Sequence, residues 1–256
     1  MVKKIVVGMV SLAAVAGGVA GLSAFEAHVI NVTARIENAL QVPTDPIDFG
    51  TVFPQEHLEK TLKLALSESF RLENRVDDVE YVIRQKPKCG ITARDGEVLV
   101  GPTATGHVVV ASSTGEAIID CGPAPRQLEV GESWGMLPLL CPYLSKLEDT
   151  EDGQETDNDG SLSAFHKPWT ISGPDVVWTE VKGRLAKSAP DYEDMWIIDL
   201  AVPCFGDHCA QDWEEFVHDH NPGAIASQYV LDEDDEHKIF GCDLWIEVEE
   251  VSEFEE

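Results

Sequence analysis

Glu56 and His57, with Glu59 just beyond, set two carboxylates around an imidazole at the head of the stretch HLEKTLKLALS. A zinc-protease reading needs a second histidine four residues away on a helix, beside the glutamate. Position 61 is Thr and position 53 is Phe, so the forward and the inverted spacing both fail. Pro54 favours a turn, and the leucines that follow alternate. The pair is therefore predicted to be a loop that feeds a strand. A second group lies in VPCFGDHCAQDW and the HDH that follows. Cys204, His208 and Cys209 have ligand chemistry, but no second Cys/His pair follows at finger spacing. Gly206 lets the chain turn back, which makes a local Cys204–Cys209 disulfide the stronger reading. His208, Asp212, His218 and His220 are the ligands that a metal-dependent hydrolase would use, and that activity is the alternative function. A third group is the run ETDNDGS. Glu155, Asp157, Asp159 and Ser161 match the first half of a calcium loop, with Gly160 at its sharp turn. The closing glutamate is replaced by His166, so the match is a partial, weak calcium site, in competition with a plain solvated acidic loop. Calcium is the one cofactor suggested, and a calcium-dependent binding module is a third function. No P-loop or G-x-G-x-x-G is present, so no catalytic residue is assigned and the chain is read as a non-enzyme.

The elements that must position these groups are bounded by composition. Among 256 residues, 18 Lys and Arg face 47 Asp and Glu, for a net charge of −29. Phosphate backbones need clustered cations, so nucleic acid is excluded as a partner, and anionic lipid is disfavoured. Such a surface suits solubility, cation binding or a high-salt setting. Lys3 and Lys4 precede an uncharged run from Ile5 to Ala24 that ends in Leu22-Ser23-Ala24. That is the plan of a signal peptide over residues 1–24, with Phe25 as the first mature residue. A retained anchor is the rival reading, since 20 apolar residues can just span a bilayer. With the signal removed, no membrane span remains, and the product is secreted or held at the cell surface. The six cysteines, Cys89, Cys121, Cys141, Cys204, Cys209 and Cys242, then fall in a disulfide-permissive setting. Beyond Cys204 and Cys209, sequence alone does not choose the pairs.

Alternation with period two recurs along the chain. Ile30, Val32 and Ile36 share one face of HVINVTARI; Leu62, Leu64 and Leu66 share one face of TLKLALS; Val79, Tyr81 and Ile83 share one face of VEYVIRQ. Val177, Val181 and Leu185, then Trp196, Ile198, Leu200 and Val202, then Leu244, Ile246 and Val248 continue the pattern. Helical periodicity is confined to CAQDWEEFV, which carries Trp213 and Phe216. The fold class is all-β: an antiparallel β-sandwich, jelly-roll-like, with short helices and long acidic loops. Residues 25–256 form one domain with a Cys-rich, acidic insertion at about 89–175. Trp178, Trp196 and Trp245 lie in strands, where they fill the core or form an exposed row for carbohydrate.

A signal that runs straight into a strand, LSAFEAHVINVTARI, is followed by the turn DFGTVFPQE, by RVDDVEYVIRQKPK at 75–88 and by a closing GCDLWIEV at 241–248. This arrangement resembles the TasA/camelysin group of secreted bacterial proteins, in particular its uncharacterised relatives. The resemblance is best from Phe25 to about Cys89 and in the last strand, and it lapses over the Cys-rich middle. It implies a jelly-roll sandwich and a role in cell-surface or biofilm-matrix fibres. Camelysin relatives have been labelled metalloproteases, an activity with no recognisable zinc motif here. The expected function is a secreted structural protein of the cell surface or extracellular matrix. It polymerises, or binds other surface proteins, when Phe25, Val29, Ile30, Val32 and Ile36 of one copy complete the open sheet edge of the next. Such pairing is head to tail and grows a filament. In the competing arrangement this strand pairs within its own sheet.

Overall fold

A computed structural model describes residues 35–112, 114–148, 160–188 and 191–253. The chain divides into a short unit, Met1–Ile36, and a compact unit, Glu37–Glu256, which carries every element below. The signal segment 1–24, the donor residues Phe25, Val29, Ile30 and Val32, and the calcium-loop residues Glu155, Asp157 and Asp159 lie outside the described residues.

In chain order, β1 (Leu40–Gln41) and β2 (His57–Leu66) precede the short helix α1 (Glu68–Leu72) and the long β3 (Val76–Ala93). Next come β4 (Val98–Thr105), β5 (His107–Val110), β6 (Ala117–Asp120) and β7 (Glu132–Met136), a 3-10 turn at Cys141–Tyr143, and β8 (Leu147–Glu148). β9 (Trp169–Ser172), β10 (Asp175–Trp178), β11 (Glu180–Ala186), β12 (Glu193–Ala201), α2 (Trp213–His220) and β13 (Cys242–Glu253) follow. One sheet has the order β1-β2-β12-β8. A second has β3 at its centre, with β11 and β13 on its first half and β4 and β7 on its second. All these ladders are antiparallel, and the fold is the all-β sandwich that the alternation predicts.

Alternation decides which faces meet. Leu62, Leu64 and Leu66 of β2 and Trp196, Ile198 and Leu200 of β12 point inward. They pack in one cluster with Val79, Tyr81 and Ile83 of β3 and Val181 and Leu185 of β11. Each such side chain contributes about 1.5–3 kcal/mol by leaving water. Gly183 lies opposite Tyr81, and a Cβ there would sit 2.2 Å from the tyrosine Cζ. The missing side chain lets the Tyr81 ring lie across the strand. Its hydroxyl donates to Asp194 and accepts from the Trp196 indole at 2.9 Å, which joins the two sheets through a buried polar link. Burial first, then the Asp194 charge, pushes the Tyr81 pKa well above that of a free tyrosine.

Two residues predicted to be buried are exposed. Val177 is 49% exposed, because the strand is interrupted at Thr179 and Val177 belongs to the β9–β10 ribbon. Val248 is 40% exposed although it stands opposite the buried Tyr81 on the same face as Ile246, at the last pair before a register shift between Val248 and Glu250. In β3, Pro87 sits where the strand changes neighbours. β11 pairs as far as Arg84 and β4 begins at Lys88, so the proline's missing N–H removes no ladder bond on that side.

β2 has a further property. Leu66 N–H donates to the Tyr192 carbonyl and Val202 N–H to the Glu56 carbonyl, both at 2.9 Å, which fixes the phase of the β2–β12 ladder. Alternation then turns the backbone groups of Glu59, Thr61 and Lys63 to the opposite edge. On that edge the described residues supply only Leu40 and Gln41, opposite Leu66 and Ala65.

Candidate functional site

β12 carries Asp199 in the middle of an apolar run, on the face opposite Trp196, Ile198 and Leu200. It is held on both sides: Glu59 stands opposite it on β2, and its backbone carbonyl accepts from Ser145 at 2.8 Å. Only 4% of Asp199 is exposed. His57, the first residue of β2, brings Nε2 to 2.7 Å from Asp199 Oδ1. The distance is that of an ion pair, yet Oδ1 receives no hydrogen bond of good geometry. The third member is His220, the last residue of α2, whose ring meets the His57 ring edge-on at 4.9 Å. Its Nδ1 donates to the Phe216 carbonyl at 2.8 Å, which leaves Nε2 with its lone pair. One ligand atom from each of His57, Asp199 and His220 lies within 4.8 Å of the others. Burial raises the Asp199 pKa above the usual carboxylate value, against the opposing pull of His57 and His220.

The helix that delivers His220 is anchored from beneath. Trp213 and Val217 are buried, and Phe165 packs against Trp213, Phe216 and His220. Asn221, just past the helix, donates to the carbonyls of Ala164 and Phe165 at 3.1 and 3.0 Å. Two elements distant in sequence, β2 and α2, are thus fixed over one position of β12.

Of the four residues expected as hydrolase ligands, only His220 joins this cluster. His208 is in a 3-10 turn, Asp212 accepts from Gln55 Nε2 at 3.1 Å, and His218 is exposed on another side of α2. Cys204 and Cys209 are disulfide-bonded, as are Cys89 with Cys121 and Cys141 with Cys242. Among the calcium-loop residues, Ser161 is described and exposed, and Gly160 has φ +84°. His166 is turned into the protein, with Nδ1 donating to the Ser163 carbonyl at 2.9 Å and Nε2 at 2.7 Å from the Gln85 side-chain amide. The expectation for Glu56-His57 is half corrected. Glu56 does cap a turn, accepting from Phe53 N–H at 2.9 Å, but His57 belongs to the strand and meets Asp199 and His220. Asp199 left a sequence signal that spacing rules overlook: a carboxylate inside WIIDLAV requires a partner.

Two other polar groups stand out. Lys146 is fully buried with no hydrogen-bond partner for Nζ among the described residues, and burial pulls its pKa down to about 7. His166, held neutral with a pKa of about 3, is pushed there first by burial and then by Lys146. On the outer face of β3 and β13, Lys86 Nζ lies 3.6 Å above the Trp245 ring and 5.8 Å from that of Trp178, which packs on Trp169 at 5.7 Å. Trp196 is fully buried, so Trp178, Trp196 and Trp245 do not form one exposed row for carbohydrate. No helix among the described residues is long and apolar enough to cross a membrane, and three disulfides are consistent with export. No family model matches the chain, and no curated protein or solved structure shows significant similarity to it.

Proposed function

We propose that the chain is a secreted structural protein of the cell surface or extracellular matrix, of the TasA/camelysin kind, whose copies join by strand addition. The observation that carries this reading is the outer edge of β2, where the described residues pair only Leu66 and Ala65 of a ten-residue strand. An extended segment there would gain main-chain hydrogen bonds from Glu59, Thr61 and Lys63, and the register of alternating side chains would set specificity. The segment Phe25–Ile36 is the donor in this reading, and Ile36 at its end stands exposed. Three disulfides suit a subunit that must persist outside the cell.

The test is electron microscopy of the chain beginning at Phe25 beside a version lacking Phe25–Ile36 and a Thr61→Pro variant that also begins at Phe25. Thr61 is exposed and its N–H faces away from β12, so proline there blocks the edge with little effect on the fold. Filaments from the first protein and none from the other two are expected. Filaments that persist in Thr61→Pro would place the contact elsewhere, and monomers in all three would end the fibre reading.

A further inference from the structure

We propose that His57, Asp199 and His220 form a binding site for a divalent transition metal of the zinc type. This inference is independent of strand addition. Two imidazoles and one carboxylate are a common ligand set for such ions, which leave further positions to water or another donor. Three features of the site point to a cation. First, the ligand atoms already converge within 4.8 Å, and a tetrahedral ion with bonds of about 2.0–2.2 Å needs them about 3.3–3.5 Å apart. Side-chain rotation covers the difference, because His57 lies at the exposed rim while β12 and α2 hold the other two. Second, Asp199 Oδ1 is buried and, among the described residues, accepts no well-formed hydrogen bond even from His57 at 2.7 Å, and Glu59 stands directly opposite it in the ladder. Like charges facing each other across two strands repel, and a cation bound at Asp199 would offset that repulsion. Third, the Phe216 carbonyl takes the Nδ1 proton of His220, the outer-shell contact typical of a metal-binding imidazole, which leaves Nε2 as the nitrogen available to ligate. The exposed side of His57 gives the ion an entry path.

The rival is a plain ion pair between His57 and Asp199 with His220 as packing, and the two separate by titration. The full chain, stripped with chelator, is titrated with zinc in competition with a chromophoric chelator, beside His57→Ala, His220→Ala and His218→Ala. Many surface carboxylates will bind zinc weakly in all four, so the readout is the difference. One tight equivalent is expected in the parent and in His218→Ala, whose histidine is two residues away but outside the cluster. Affinity should fall more than about 100-fold in the other two, since loss of an outer-shell partner alone costs about 10–100-fold. Copper(II) resonance spectra should show two coordinated nitrogens in the parent and one in each of those variants. Circular dichroism in chelator guards against misfolding, and His57→Ala, at an exposed position, keeps the test sharp if His220→Ala unfolds. Equal zinc affinity in the parent and His57→Ala, or no tight equivalent in the parent, overturns the site.

Discussion

The two ends of β3 lie in unlike surroundings. From Val76 to Arg84 the strand runs between β11 and β13, over the cluster that contains Trp196, Tyr81 and Leu64. From Lys88 to Ala93 it runs between β4 and β7, where Ile91, Val108 and Leu137 are buried while Val98, Leu99, Ile118 and Met136 stand exposed. The first half can be held by apolar burial. The second is too thin for that, and it carries Cys89–Cys121, with Cys141–Cys242 at the seam. The lesson is one of substitution: where few residues can be removed from water, cross-links that restrict the unfolded chain supply the stability instead.

Removing those cross-links gives the largest effects. The loop-closure model assigns about 4–5 kcal/mol to Cys141–Cys242, which spans 101 residues, and about 4 to Cys89–Cys121, which spans 32. Cys204–Cys209, with a separation of 5, is worth about 2. Replacing Cys89 and Cys121 with Ser should strip hydrogen-exchange protection from β4 to β7 while β2 and β12 keep theirs. Uniform loss across both halves would mean that they unfold as one unit, and the contrast would fail.

The core half has its own weak point in Lys146. It titrates near 7 in the fold against 10.5 when free. Between those values only the unfolded chain carries the extra proton, so stability rises with pH across that window. Below it both states are charged, and the whole cost, on the order of a few kcal/mol, remains. Lys146→Met should therefore stabilise the protein, with a larger gain at pH 7 than at pH 9.5 in denaturant titrations. A gain that does not change with pH would show that the ammonium is not desolvated. Next in size is Gly183→Ala, whose new Cβ must displace the Tyr81 ring and its link to Asp194. Overpacking of this kind costs about 1–3 kcal/mol, and the fluorescence of Trp196, which donates to Tyr81, should report the shift.

Sequence reasoning fares differently in the two halves for the same physical reason. In the core half a buried face forces strict alternation, so Leu62–Leu66, Val79–Ile83 and Trp196–Leu200 are legible as inward triplets. In the second half little is buried, the pattern is weak, and β4, β6 and β7 pass without a clear period. The candidate site is illegible for another reason. His57, Asp199 and His220 come from three distant elements, and no local spacing encodes where strand register and helix packing bring them. The cue that was present, an aspartate in an apolar strand, speaks of a partner without naming it.

The smallest expected effect lies on the outer face of the core half, and it tests whether burial rather than charge dominates there. Arg84 bridges Glu180 at 2.6 Å, Glu247 at 2.7 Å and Glu249 at 3.4 Å, across β11, β3 and β13. The arrangement looks strong, yet its carboxylates are partly open to water, where solvent and salt screen such pairs. Glu249→Gln should cost less than about 1 kcal/mol, and the difference should shrink further in molar salt. Against a net charge of −29, losing one surface negative charge also relieves repulsion, which offsets part of that cost. A loss well above 1 kcal/mol that survives high salt would mean that the Arg84 network, and not the apolar cluster alone, holds the three strands together.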